Sequence, residues 1–193
     1  MKISFLHIIL VFVVLIVVSC GPSRYLPDGE TLYTGANVKI TDKELSNKQK
    51  KNFAKTLKDL TRPKPNKKIL GIRFKLWMYS IAGKSEKEKS LGGWFRRKFG
   101  EPPVLASDVN TDYNTKVLHS TLENRGFFQA TVDGDTVTKG RKTEANYTIQ
   151  TGPLYRINEI HFSHDSAVLD KTILEDSAKT LLKTKNSFDL RLI

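Results

Sequence analysis

The sequence predicts an α+β fold with the element order strand, helix, helix, strand, strand. Three observations predict it: apolar residues recur at helical spacing in two segments, they alternate with polar residues in shorter ones, and turn formers separate the segments. The chain has 193 residues, of which 39% are hydrophobic, so it is long enough for one ordinary domain or two small ones. Its single cysteine excludes a disulfide framework and a four-cysteine zinc site.

The first twenty residues are typical of a secretory signal. Lys2 precedes an apolar run over residues 8–18, which is short for a bilayer span and fits the apolar region of a signal peptide. The run ends at Ser19-Cys20, which resembles the bacterial lipoprotein box, where the chain is cut before the cysteine. We expect a signal peptide over residues 1–19 and diacylglycerol and N-acyl lipid on Cys20. The alternative is a cysteine that merely follows a signal peptide or membrane anchor.

The mature chain begins with a tether over residues 20–30, which is rich in turn formers. A strand is predicted over Thr31–Ile40, with Val38 and Ile40 on one face. A capping box over Thr41–Glu44 predicts the start of the first helix. The apolar face of that helix comprises Leu45, Phe53, Leu57 and Leu60.

Residues 62–107 read as a long insertion between the two helices, and most of the net charge of +12 lies in this part of the chain. Residues 50–100 contain 16 Lys/Arg and 3 Asp/Glu, whereas the rest of the chain contains 16 Lys/Arg and 17 Asp/Glu. Aromatic residues lie among these cations, which gives a candidate membrane or partner contact: Arg73, Lys75, Trp77, Trp94, Arg96, Arg97 and Lys98. Three interpretations stay open, namely a solvated face, anionic lipid head groups, or an acidic protein partner. Nucleic acid is not expected, because the signal peptide places the chain outside the cytoplasm.

The second helix is predicted from the apolar spacing of Tyr113, Val117, Leu118 and Leu122, after several possible N-caps over residues 108–112. Gly126 suits the left-handed residue that ends such a helix. Two segments with alternating apolar residues follow and predict strands, Phe127–Val132 and Ala145–Gln150. The residues expected in the core are Phe128, Val132, Tyr147 and Ile149. Asp133-Gly134-Asp135 is typical of a turn between them.

The last forty residues predict a further strand over Leu154–Phe162 and helical spacing from Leu169 to Leu182. Another helix is expected to begin at Phe188. No enzymatic site is expected, because the sequence has no Ser/His/Asp arrangement and no phosphate-binding loop. His161 and His164 are spaced like a metal pair but have no cysteine nearby, so no metal is expected.

Two motifs resemble the polypeptide-transport-associated (POTRA) family. Leu122–Phe128 is similar to the exit of the family's second helix, where a glycine and an aromatic pair lead into the next strand. Thr151–Phe162 is similar to the hallmark that ends one such domain and begins the next. With the lipoprotein box and the segment Asn66–Phe74, the chain resembles a lipoprotein form of the BamA/TamA outer-membrane assembly superfamily.

The resemblance implies a POTRA-like β-α-α-β-β domain over residues 31–152, with two helices on one face of a mixed sheet and the insertion at about 62–107. Residues 153–193 would begin a second, incomplete POTRA-like unit, and the chain would be the N-terminal part of a barrel protein. It implies a non-enzymatic lipoprotein, anchored to the outer membrane and facing the periplasm.

The expected partners are outer-membrane lipid and either unfolded outer-membrane proteins or a periplasm-spanning assembly partner; no small-molecule substrate is implied. Such polypeptides would bind by strand addition to a sheet edge, with three candidate strands left open. They are Leu32–Ile40, Phe127–Asp135 and Ala145–Gln150. The alternative is a structural lipoprotein that binds anionic envelope lipid or polymer through the basic-aromatic segment.

Overall fold

The fold is α+β, as predicted, and the computed structural model describes residues 26–42, 45–81, 90–162, 173, 175 and 177–192. Within these residues three strands form one mixed sheet, accompanied by four α-helices. In chain order the elements are β1 (Leu32–Ile40), α1 (Asn47–Lys58), α2 (Phe74–Ile81), α3 (Leu91–Phe99), α4 (Thr111–Glu123), β2 (Thr131–Lys139) and β3 (Lys142–Gln150). Short 3-10 helices lie at Ala106–Asp108, Ser177–Lys179 and Leu190–Leu192.

The sheet has the order β1-β3-β2, so β3 is its central strand. β1 runs parallel to β3, because the Leu32 N–H donates to the Arg141 carbonyl (2.9 Å) and, further along both strands, the Thr41 N–H donates to the Ile149 carbonyl (2.9 Å). β2 and β3 form a hairpin, joined by a two-residue loop that begins with Gly140 at φ +58°.

Burial alternates along β3, which confirms the predicted strand over Ala145–Gln150 and extends it to Lys142. Its buried residues are Thr143, Ala145, Tyr147 and Ile149, whereas the residues between them are exposed or half-buried. The predicted first strand is confirmed as well, with Val38 and Ile40 both buried. One face of the sheet therefore carries the core, and the other is polar.

Helix α1 begins at Asn47, later than the predicted start at Thr41. The capping box is formed by Ser46 and Gln49, since the Ser46 N–H donates to Gln49 Oε1 (2.9 Å) and the Gln49 N–H donates to Ser46 Oγ (3.4 Å). Thr41 instead continues the sheet, because its N–H and its hydroxyl both donate to the Ile149 carbonyl. Two residues of the predicted box, Lys43 and Glu44, lie outside the described residues.

Helix α4 and its exit confirm the prediction. Asn110 caps the helix by accepting from the Tyr113 N–H (2.8 Å). At the other end the Phe127 N–H donates to the Leu122 carbonyl (3.0 Å) and the Gly126 N–H to the Glu123 carbonyl (2.9 Å), which is the Schellman pair. Gly126 takes the expected left-handed conformation, at φ +85°.

The strand predicted over Phe127–Val132 begins only at Thr131. Residues 127–130 are a turn, in which the Ala130 N–H donates to the Phe127 carbonyl (3.1 Å). The core position expected for Phe128 is therefore wrong, and 44% of this residue is exposed. The turn predicted at Asp133-Gly134-Asp135 is also wrong, because these residues lie inside β2.

The strand predicted over Leu154–Phe162 is not formed; within the described residues this segment has one bridge, between Arg156 and Ser187. Its backbone is used elsewhere, since the Tyr155 N–H donates to the Gly126 carbonyl (2.9 Å). The helix expected at Phe188 is a single 3-10 turn over Leu190–Leu192. Of the helix predicted between Leu169 and Leu182, residues 169–172, 174 and 176 lie outside the described residues, and residues 177–182 form a single 3-10 turn over Ser177–Lys179 in place of a helix.

Contacts divide the chain into two units. Unit 1 comprises the chain up to Gly35, Pro63–Val109 and Thr136–Glu144, and its core contains Leu26, Leu32 and Leu76. The predicted insertion over residues 62–107 thus falls almost entirely in unit 1, where it folds as α2 and α3. Unit 2 comprises Ala36–Arg62, Asn110–Asp135 and Ala145–Ile193, and these ranges include helices α1 and α4.

Candidate functional site

The first candidate site is the edge strand β2. Every one of its residues is exposed except Val132, which is half-buried. Since β3 is central, the structure excludes Ala145–Gln150 as a sheet edge and leaves β1 and β2 as the two end strands. An exposed edge strand offers unpaired backbone N–H and carbonyl groups, which are a template for another strand.

The register shows which β2 groups point outward. In β3 the carbonyls of Arg141 and Ile149 accept from β1, so the odd-numbered residues on that side of the hairpin face β1 and the even-numbered residues face β2. Because the hairpin loop has two residues, Lys142 pairs with Lys139. Every second residue along the two strands is then paired in the same way, so that the backbone of Asp133 faces β3. The N–H and carbonyl of Val132 and Gly134 therefore point away from the sheet. No backbone hydrogen bond joins these two residues to a described segment outside β3.

The inner side of this edge rests directly on helix α4. A Cβ on Gly134 would lie 2.7 Å from Thr115 Oγ1 and 3.0 Å from the Tyr147 ring, so a side chain there would collide with both. The lack of a side chain allows the strand to lie close to the helix. Helix α4 thus supports the edge strand by packing against the core-facing side of the sheet.

A buried polar group fixes α4 against the sheet. Asn114 is fully buried; its Nδ2 donates to the Arg62 carbonyl (2.7 Å) and to the Tyr147 hydroxyl (2.9 Å), and its Oδ1 accepts from the Arg62 N–H (2.8 Å). Burial raises the pKa of Tyr147, and the bond from Asn114 opposes this. Three hydrogen bonds at one side chain specify the position of the helix.

The opposite edge of the sheet is covered along the first part of β1. The Tyr33 N–H donates to the Val104 carbonyl (2.8 Å), and the Ala106 N–H donates to the Thr31 carbonyl (2.9 Å). Buried Asn66 holds this covering segment, since its Oδ1 accepts from the Val104 N–H (3.1 Å). Most of β1 is also buried, unlike β2. Of the three candidate strands named from the sequence, the one that overlaps β2 is thus the most exposed.

The seven residues expected to contact a membrane or partner all lie on or beside α2 and α3 in unit 1. Two of them serve the fold instead. Arg73 is half-buried, its Nη2 donates to the Thr34 carbonyl (3.2 Å), and burial lowers its pKa. Arg96 packs its guanidinium 3.8 Å from the centre of the Tyr79 ring and donates to the Tyr79 hydroxyl, which joins α3 to α2.

The remaining five of these residues are not used in this way by the fold and could contact a membrane or a partner. Trp77 is half-buried and stacks on Phe74, with ring centres 5.9 Å apart. The other four are exposed, and we call them the exposed cationic-aromatic residues: Lys75, Trp94, Arg97 and Lys98. Lys98 Nζ lies 4.8 Å from the centre of the Trp94 ring. Cys20, the expected lipid site, lies outside the described residues.

A groove of about 390 Å³ in unit 2 has no counterpart in the sequence predictions. Three phenylalanines from separate parts of the chain line it, Phe53, Phe127 and Phe188. Arg125 lies over the Phe53 ring (4.9 Å), and its pKa is lowered by burial and by Arg191. Asp189 is held by Arg191, whose hydrogen bond lowers the pKa of that carboxyl to about 2. No periodic pattern connects these residues, so nothing in the sequence indicates the groove.

The described residues contain no group of three His, Cys, Asp or Glu side chains placed to hold a metal ion. His161, which with His164 has the spacing of a metal-binding pair, contacts Glu159 (3.0 Å). His164 lies outside the described residues. None of the helices described is both long and apolar enough to cross a membrane.

Comparison with known proteins identifies no relative. No protein-family model matches the chain, and no match is found among the curated proteins or the solved structures.

Proposed function

We propose that this chain is a non-enzymatic lipoprotein of an outer-membrane protein assembly system, in which a POTRA-like domain binds extended polypeptides along β2. The observation that carries the proposal is the exposed edge, where the backbone groups of Val132 and Gly134 point outward. Edge addition relies on backbone hydrogen bonds, which suit clients of varied sequence. The clients would be unfolded outer-membrane proteins or a periplasm-spanning assembly partner.

The order of elements supports the POTRA-like assignment. β1, α1, α4, β2 and β3 follow the β-α-α-β-β order, and the additional helices α2 and α3 lie between α1 and α4. The mixed sheet has β3 at its centre, and the glycine exit after α4 has the geometry that the sequence motif implies. The incomplete second unit over residues 153–193 and a following barrel belong to the same proposal.

The lipoprotein signal supports the proposed location. Acyl chains on Cys20 would anchor the chain to the outer membrane, since each buried methylene contributes about 0.8 kcal/mol and several chains add up to a durable anchor. The domain would then lie in the periplasm, where unfolded barrel proteins pass. Neither nucleic acid nor a small-molecule substrate has a part in this proposal.

A proline at Val132 tests strand addition directly. Val132→Pro removes an outward N–H but no bond to β3, a position where edge strands tolerate proline. We expect the affinity for a synthetic ten-residue peptide with alternating apolar and polar residues, the pattern of barrel strands, to fall about tenfold, the effect of one lost hydrogen bond. Fluorescence polarisation with the labelled peptide measures this.

Val132→Thr is the matched control, because it keeps the N–H and the branched shape of valine. It should bind the peptide as the wild type does, and circular dichroism should show that both variants melt as folded proteins. Binding should survive moderate salt, since backbone hydrogen bonds are screened less than surface charges. Wild-type affinity in Val132→Pro, or no peptide affinity in any of the three proteins at any salt, would contradict the proposal.

The exposed cationic-aromatic residues favour one alternative, a structural lipoprotein that binds anionic envelope lipid or polymer. Lys75, Trp94, Arg97 and Lys98 are all exposed on α2 and α3, where they could reach such a surface. Adhesion through these cations would weaken steeply with salt, in contrast to strand addition. Changing Arg97 and Lys98 together to serine should then release the chain from anionic vesicles, and unchanged adhesion would remove this alternative.

A further inference from the structure

A small β-hairpin precedes α2 in unit 1, and its tip is apolar. The Ile69 N–H donates to the Ile72 carbonyl (2.8 Å), and the Ile72 N–H donates to the Ile69 carbonyl (3.0 Å). The two residues between them, Leu70 and Gly71, both have positive φ, +49° and +82°. This is the backbone of a type I′ turn, which favours Asn-Gly.

Leucine is a costly residue at the tip of this turn. The left-handed conformation brings its Cβ close to the following carbonyl, a strain that asparagine or glycine tolerates far better. Packing does not compensate, because 98% of Leu70 is exposed. Its apolar neighbours are also exposed, Ile69 by 56%, Ile72 by 57% and Phe74 by 49%. Neither local conformation nor the core explains this apolar tip.

Cations flank the tip on both sides. Lys67 and Lys68 precede it, Lys75 follows it, and residues 66–81 contain no Asp or Glu. These three lysines are exposed. In the same unit, α3 presents Trp94, Phe95 and Phe99, each more than 40% exposed. An exposed apolar tip with cations before and after it in the chain is the pattern of elements that enter the head-group region of an anionic bilayer.

We propose that the Ile69–Ile72 hairpin inserts Leu70 into a bilayer leaflet that contains anionic phospholipid, while Lys67, Lys68 and Lys75 contact the phosphates. A lipid surface fits better than an acidic protein or a soluble anionic polymer, because it supplies both negative charge and an apolar interior for the leucine. The proposal is independent of strand addition at β2, which concerns a different strand and a different partner.

Bromine-labelled lipids test the insertion in the full chain, because bromines on the acyl chains quench nearby tryptophan. The chain is reconstituted in vesicles of phosphatidylcholine alone or with phosphatidylglycerol, and the fluorescence of Trp77 and Trp94 is followed. We expect stronger quenching in the phosphatidylglycerol vesicles. Leu70→Asn should reduce the inserted fraction about tenfold, the effect of losing roughly two buried methylenes, so that quenching falls toward the phosphatidylcholine value.

The leucine variant should not unfold the protein, since asparagine suits the turn, and its melting temperature should be no lower than that of the wild type. Leu70→Gly is a second variant with the same expected results. Leu181→Asn, which changes a leucine 69% exposed in unit 2, is the matched control and should quench as the wild type does. Wild-type quenching in both Leu70 variants, or equal quenching of the wild type in the two kinds of vesicle, would overturn the proposal.

Discussion

Replacing Asn114 by alanine should lower the free energy of unfolding by about 3–5 kcal/mol, because it leaves one buried and two partly buried polar groups without their partner. These groups are the N–H and carbonyl of Arg62 and the hydroxyl of Tyr147. Each buried group that loses its hydrogen bond costs about 1–3 kcal/mol. Urea unfolding followed by circular dichroism measures the difference.

Asn146→Ala is the control for this prediction. Asn146 contacts another side chain as well, since it accepts from Asn37 Nδ2 at 3.4 Å, but that contact is exposed on the polar face of the sheet. Its removal should change the free energy of unfolding by less than about 0.5 kcal/mol. A loss below about 1 kcal/mol in Asn114→Ala would mean that Asn114 does not fix α4 against the sheet.

Replacing Gly126 by alanine should be nearly as damaging, at about 2–4 kcal/mol, because two costs add. The residue is left-handed, at φ +85°, and a Cβ would lie 3.0 Å from the carbonyl oxygens of both Tyr155 and Phe188. Backbone oxygens cannot turn aside as a flexible side chain can. Chemical unfolding gives the size of the effect, and faster hydrogen exchange at the Tyr155 amide, which donates to the Gly126 carbonyl, gives its location.

Gly140→Ala separates the two costs. Gly140 is also left-handed, at φ +58°, but no atom lies within 4 Å of the position that a Cβ would take. This variant should therefore show only the conformational cost, about 1 kcal/mol. Equal losses in the two variants would show that the close packing around Gly126 contributes nothing.

The sequence predicted the elements that bury a periodic apolar face. β1, α1, α4 and most of β3 follow from the spacing of residues such as Leu57, Leu118, Tyr147 and Ile149, which are buried in the structure. The glycine exit was predictable too, because few residues other than glycine adopt its backbone conformation. In these segments local pattern and tertiary packing agree.

β2 was not predictable over its full length, because an exposed edge strand needs no apolar alternation. Each of its faces is mostly polar and carries a single valine, and Gly134 between two aspartates is typical of a turn. The glycine instead allows the strand to approach α4, which depends on contacts distant in sequence. The identity of the accessible edge likewise follows from the parallel pairing of β1 with β3, which no local pattern encodes.

The cationic-aromatic residues also show what sequence pattern alone does not predict. Composition marked the segment, but it could not separate Arg73 and Arg96, which the fold uses, from Arg97 and Lys98, which are exposed. Leu70 was not singled out, because a leucine is notable only once its backbone conformation and its exposure are known. The groove beside Phe53 was missed for a similar reason, since its walls come from distant segments.

Hydrogen exchange at single amides of β2 tests the central claim most directly. On addition of the alternating peptide, the amides of Val132 and Gly134 should become protected, because they point outward and would donate to the added strand. The Asp133 amide, which faces β3, should exchange at the same slow rate with and without peptide. Peptide binding that leaves Val132 and Gly134 exchanging as they do in the unbound protein would contradict strand addition at this edge.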